Sequence, residues 1–214
     1  MCGVAKRKIG HRKNILSWKN DNCDSRSLEF KPGKVSKTVD NILSINRQNT
    51  DLIRINSLLD NDQWRYFGDD VMEFYLDYET INSNMGQCSF SNNNVSYNHN
   101  QIIFMIGVGW DKGGQWNYKN FIIDKNTKNS ELNMIISFWE YINNVLNQNN
   151  KSDAKFIHWT HAEPVSYKKL LNRHNNSDIP KKDFYDLYHL FTSNNIVVKG
   201  ALNYSLKSIA KAMF

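Results

Sequence analysis

Apolar and polar positions along the chain repeat with two periods, and the switches between them mark the elements. Residues 71–81, VMEFYLDYETI, are rich in β-branched and aromatic side chains and read as a strand. A polar stretch over 82–101 follows, too long for a tight turn. IIFMIGVGW (102–110) and WNYKNFIID (116–124), separated by DKGGQ, predict an antiparallel hairpin. In SELNMIISFWEYINNVL the apolar positions Leu132, Ile135, Ile136, Trp139, Ile142 and Leu146 fall at helical spacing, with Ser130 as the expected N-cap. AKFIHWT (154–160) predicts a short buried strand, and Pro164 the opening turn of a helix over 164–173. Two further helical runs follow, KDFYDLYHLF and SLKSIAKAMF. Residues 1–65 read as small helices and connectors broken at Pro32–Gly33, with one amphipathic piece, VDNILSINRQNTDLI. Three antiparallel strands, a helix, a strand and further helices make a mixed α/β domain.

Composition narrows the class. An apolar fraction of 40% and 27 aromatic residues suit a globular chain, and the abundant Asn clusters in the gaps between apolar runs. No apolar stretch reaches the length of a membrane span, and MCGVAKRKIGHRKN lacks the apolar segment of a signal peptide. The expectation is a soluble, intracellular (cytoplasmic) protein with no membrane partner. Cys2, Cys23 and Cys88 form no CxxC pair, which suits free thiols in a reducing compartment and gives no structural zinc spacing.

Charge is unevenly spread. Residues 1–54 hold 12 Lys or Arg against 5 Asp or Glu, whereas residues 55–214 hold 15 against 16. A basic N-terminal segment can attract phosphate backbones by counterion release, or can simply be a solvated surface. The expected division is a basic connector or arm over 1–68 and one domain over 69–214.

The candidate chemistry starts at FYLDYETIN. On a strand, Asp77 and Glu79 at i and i+2 point to one face. Two carboxylates so close repel, so one must protonate or a cation must lie between them, and oxygen ligands select Mg²⁺ or Mn²⁺. A strand with its polar face in water is the plain alternative. FIHWTHAEP places Glu163 directly before Pro164, either as a third metal carboxylate or as a helix N-terminal acid, two compatible roles. His158 and His161 form HxxH with no third zinc ligand nearby; His158 reads as a hydrogen-bonded structural residue, and His161 as the one to contact phosphate or water. Tyr75 shares the face of Asp77 and can stack on nucleic-acid bases, as can Trp159, whereas Phe74 and Tyr78 face the core.

Taken together, FYLDYETIN, Gly86–Gln87, IIFMIGVGW, FIHWTHAEP, FYDLYHLF and VVKGALNYSLKSIAKAM resemble the ribonuclease-H-like domain of predicted RecB-type nucleases, a branch of the DEDD exonuclease superfamily. The resemblance runs from about residue 70 onward and implies a ribonuclease-H-like mixed sheet, an antiparallel hairpin plus parallel strands, flanked by helices. It also implies a metal-dependent nuclease acting on DNA or RNA, a 3′–5′ exonuclease working on a single-stranded end with two Mg²⁺ or Mn²⁺ ions. On that pattern Asp77 bridges two ions about 3.5–4 Å apart, Glu79 orients water, and Glu163 serves the second ion where many members have Asp. Asp186 matches an acidic position and is either a further ligand or a solvated helix acid. The last acidic motif, Tyr or His followed by Asp, has no counterpart here, so the chain reads as a fragment whose own activity is open. The stretch CGVAKRKIGHRKNILSWKNDNC resembles the connector that in longer relatives follows an upstream nuclease or helicase module. The rival expectations are a nucleic-acid-binding or scaffold domain that has lost catalysis, and an unrelated α/β protein with a structural Ca²⁺ or surface acids.

Overall fold

A computed structural model describes residues 3–48, 52–54, 67–82, 101–175 and 178–214. The polar stretch with Gly86 and Gln87 lies outside them. In chain order the elements are α1 (Val4–Arg12), α2 (Lys34–Arg47), β1 (Ile53–Arg54), β2 (Val71–Asn82), β3 (Gln101–Lys112), β4 (Gln115–Ile122), α3 (Lys128–Gln148), β5 (Asp153–His158), α4 (Ala162–His174), β6 (Phe184–Asp186), α5 (Leu187–Ser193), β7 (Val197–Val198) and α6 (Leu206–Met213). Two compact units contain them: residues 1–61 with 188–214, and residues 62–187.

In the unit spanning 62–187 a five-stranded mixed sheet runs in the order β4-β3-β2-β5-β6. Strands β2, β3 and β4 pair antiparallel, while β2, β5 and β6 pair parallel. The turn between β3 and β4 is Gly113–Gly114, with φ of +62° and +84°. Both angles suit a type I′ hairpin turn, whose twist matches that of the flanking strands. Alternation along β2 buries Phe74, Leu76 and Tyr78 and leaves Tyr75, Asp77 and Glu79 exposed. The buried side packs against α3 and α4 through Ile103, Ile106, Val108, Phe138, Ile142, Phe156, Tyr167 and Leu170. A register shift in the β2–β3 ladder at Glu79/Thr80 lets Ile103 and Ile106, three residues apart, both reach this core.

Three sequence expectations are corrected here. Helix α3 is capped by Thr127, whose side chain accepts the Ser130 N–H, rather than by Ser130 itself. KDFYDLYHLF is not one helix: Phe184–Asp186 pairs with β5 as β6, and only Leu187–Ser193 coils. Asp186 is therefore a strand-end residue and not a solvated helix acid. Helix α4 starts two residues before Pro164, so the proline sits at its third position; there the missing N–H still costs nothing, because the first four have no intrahelical acceptor.

In the other unit, Ile15, Cys23, Leu28, Val39 and Leu43 form a small core, with Trp18 and Phe30 packed against it. Arg47 closes the loop before α2: its guanidinium donates to the carbonyls of Trp18, Asn20 and Cys23 at 2.5–3.0 Å. The cation is consumed structurally. Strands β1 and β7 pair antiparallel, and α6 opens on a Ser205 cap. Among the described residues, no helix is long and apolar enough to cross a membrane.

Candidate metal centre

Three parallel strands bring their carboxyl ends to one edge of the sheet, the edge where open α/β sheets bind ligands. Strand β2 contributes Asp77 and Glu79, β5 ends at His158 and leads through a turn to Glu163, and β6 ends at Asp186. Helix α4 packs on the face opposite Asp77, but Glu163 lies in its first turn, close to the strand ends.

The electrostatics register the convergence. The Asp77 carboxyl is held above the ordinary carboxylate value, first by desolvation and then by the charges of Glu163 and Glu79. Asp77 is open to water on one side, so the desolvation comes from the atoms behind it. Glu163 also reaches the core face, where its charge joins burial and Tyr167 in holding the Tyr78 hydroxyl well above its usual range, burial being the largest cause. A single carboxylate thus acts on residues that point to opposite sides of β2.

Glu163 is 6% exposed. Its Oε2 stands 3.4 Å from His158 Nδ1, outside hydrogen-bond geometry, and neither atom has a hydrogen-bond partner. The Tyr78 hydroxyl, on the core face and within the electrostatic reach of Glu163, is also buried without a hydrogen bond. Buried polar atoms are almost always satisfied, so these exceptions stand out.

The turn carrying these residues is strained. Thr160 has φ of +75°, a conformation β-branched residues rarely adopt. Its N–H donates to Asp186 Oδ1 at 3.0 Å, which ties the end of β6 to the turn. Asp186 thus holds the turn with one oxygen. Strain maintained in this way is typical of sites whose geometry matters more than their stability.

His161 is exposed at the N-cap of α4, and its ring caps nothing. His158 is buried and lies against Glu163. Trp159 is half-buried in the same turn and engaged in its own contacts. Tyr75 is exposed and donates to Glu73 Oε2 at 3.0 Å; burial, then Glu73 and Asp111, push its hydroxyl up to about 12.

Among the described residues, no group of three or more His, Cys, Asp or Glu is drawn together in metal-ligand geometry. The donors are nevertheless of the kind a hard divalent ion takes: carboxylate oxygens, with Asp77 held above its ordinary value by desolvation and its neighbours' charges and a buried Glu163 oxygen without a hydrogen bond. Compared with family models, curated proteins and solved structures, the chain matches none.

Proposed function

We propose that this edge is the ion-binding site of a metal-dependent phosphodiesterase acting on DNA or RNA, in the manner of a 3′–5′ exonuclease. The observation carrying the reading is the placement of Asp77, Glu79 and Glu163 at one strand-end edge, where desolvation and then the charges of Glu163 and Glu79 hold the Asp77 carboxyl above its ordinary value and a buried Glu163 oxygen has no hydrogen bond. Repulsion of this kind is relieved by a cation, and Mg²⁺ or Mn²⁺ is the cation that oxygen ligands select. The strand order supports a ribonuclease-H-like sheet: counted within the sheet from β2, it is 3-2-1-4-5 with only the second strand antiparallel to the first, third being antiparallel to the second in turn.

Asp77, Glu79 and Glu163 would hold the ions. Once bound, such ions lower the pKa of coordinated water and neutralise charge on the phosphoryl group. The residues of the chain do the rest. Asp77 and Glu79 present oxygens from a rigid strand, Glu163 adds one from the first turn of α4, and Asp186 fixes the turn between β5 and α4 by holding the Thr160 N–H. His158 lies 3.4 Å from the Glu163 carboxylate on its buried side. The basic surface of α1 and α2 supplies a field that attracts a polyanion.

The test is purified protein with Mn²⁺ and labelled single-stranded DNA or RNA, compared with Asp77→Ala. Shortening of the strand that the substitution abolishes supports the enzyme. Binding without cleavage by either protein supports the catalytically inactive nucleic-acid-binding domain instead.

A further inference from the structure

On the exposed face of β2, the register sets Gly109 opposite Tyr75 and Gly107 opposite Asp77. Neither glycine sits in a turn; their role lies in what covers them. A Cβ on Gly109 would fall 2.1 Å from Trp116 Cζ2, and one on Gly107 would fall 2.9 Å from the Tyr118 hydroxyl. The Trp116 and Tyr118 rings therefore lie across the strand in the space where side chains would stand. Trp116 meets Tyr75 at a ring-centroid distance of 5.4 Å. Although laid against the sheet, the two rings keep 56% and 61% of their surface in water, and Tyr75 keeps 37%.

We propose that Trp116, Tyr118 and Tyr75 form a shelf on which bases of a single-stranded nucleic acid stack while its phosphate lies at Asp77; this rests on the phosphodiesterase reading of that edge. Three geometric facts carry it. The shelf is continuous with the carboxylates, since Tyr75 and Asp77 are i and i+2 on one face, about 6.6 Å apart, a distance a sugar spans between its phosphate and its base. The glycine floor makes room for the two rings against the strand while both residues stay exposed, and exposed aromatic rings are what unpaired bases stack on whatever their identity. Glu73 accepts a hydrogen bond from the Tyr75 hydroxyl at 3.0 Å and Asp111 stands opposite Trp116 in the β3–β4 register, so acids flank the shelf. These acids repel phosphate, so neutral bases are the part of the strand that fits between them, with the backbone confined to the ion-binding edge. A duplex, with its bases already stacked and paired, presents no free base faces to the shelf.

The experiment measures affinity by fluorescence anisotropy, in Ca²⁺, for an end-labelled oligothymidylate and for an abasic oligomer of the same length. Wild type should prefer the oligothymidylate by about tenfold or more. Trp116→Leu and Tyr118→Leu should each reduce that preference to within about twofold. Both side chains are exposed, so the variants should fold, which circular dichroism checks. Equal binding of the two oligomers by wild type, or an undiminished preference in both variants, overturns the shelf. Hydrolysis is read separately in Mn²⁺: a base preference that depends on Trp116 without any cleavage keeps the shelf and removes the phosphodiesterase, and cleavage without a base preference does the reverse.

Discussion

Glu163 Oε2 and His158 Nδ1 face each other at 3.4 Å, both buried and neither completing a hydrogen bond. One group comes from the first turn of α4 and the other from the last residue of β5, so the strand-to-helix turn sets their separation. A buried carboxylate stabilises a fold when its partners are satisfied and costs stability when they are not. The edge formed by Asp77, Glu79 and Glu163 is therefore expected to be a weak point of the ion-free protein and a strong point of the ion-bound one.

The first consequence is a pH dependence. Unfolded Asp77 ionises near the ordinary value of 3.8, and folded Asp77 at higher pH. Between those two values the folded chain keeps a proton that the unfolded chain has released, so stability falls as pH rises through the window and stays lower above it. Asp77→Asn removes this loss. In EDTA at neutral pH its thermal midpoint should exceed that of wild type by about 2 °C, a figure already discounted for solvent screening, and the two should converge below the carboxylate range. Calorimetric scans across pH check it; a variant less stable than wild type at neutral pH would contradict it.

Glu131 supports the same helix from its far end. It is fully buried, accepts the Ile103 N–H at 2.8 Å, binds Arg173 through two nitrogens at 2.6 and 2.7 Å, and meets His174 Nε2 at 2.7 Å. The start of α3, strand β3 and the end of α4 are thereby joined on one carboxylate. Glu131→Ala leaves Arg173 and the Ile103 N–H without their acceptor and should cost about 3–5 kcal/mol. Thermal unfolding should show a midpoint lower by roughly 10 °C.

Thr160 carries strain that a glycine would not. Thr160→Gly should raise stability by about 0.5–1 kcal/mol, the relief of strain exceeding the added backbone entropy. Urea unfolding measures it. If the turn is tuned for the site, the more stable variant should bind Mn²⁺ more weakly, because the backbone holding Glu163 has gained freedom.

Gly109 is required by Trp116 rather than by its own backbone angles. Gly109→Ala places a methyl group on the ring's position and should swing Trp116 outward. Acrylamide quenching of tryptophan fluorescence should increase, with a stability loss of about 1 kcal/mol, because the ring can move into water instead of straining the core. Unchanged quenching would show that the ring does not rest on the strand.

Much of the sheet was legible because its strands alternate cleanly. The run around Asp77 gave β2 and its two faces, and Gly113–Gly114 between two strand patterns gave the hairpin. Strand β6 was not, since Phe184, Leu187 and Phe191 keep helical spacing across a segment whose first three residues are drawn into the sheet by pairing with β5. The cap of α3 was ambiguous because Thr127 and Ser130 are both cap formers three residues apart. At the site, strand parity put Asp77 and Glu79 on one exposed face, as the sheet has them, while the side to which each histidine turns had no local signal. His158 and His161 differ in which one turns inward at the end of β5, and that depends on the turn. Strand parity puts Tyr78 in the core, but the influence of Glu163 on its hydroxyl comes from the packing of α4 on that face, a tertiary fact with no local signal. The paired glycines 107 and 109 and the paired aromatics 116 and 118 are visible in the sequence, and the two-residue turn fixes their register, but the laying of one pair over the other is set by side-chain rotamers with no local signal.

Titration calorimetry with Mn²⁺ on wild type, Asp77→Asn and Glu163→Gln tests the shared-ion account most directly. Wild type should bind Mn²⁺, more tightly as pH rises through the range in which the raised Asp77 carboxyl gives up its proton, and each substitution should weaken binding by at least tenfold, roughly the loss of one charged ligand. Binding that is as tight in Glu163→Gln as in wild type would contradict it, because Glu163 would then have no part in holding the ion.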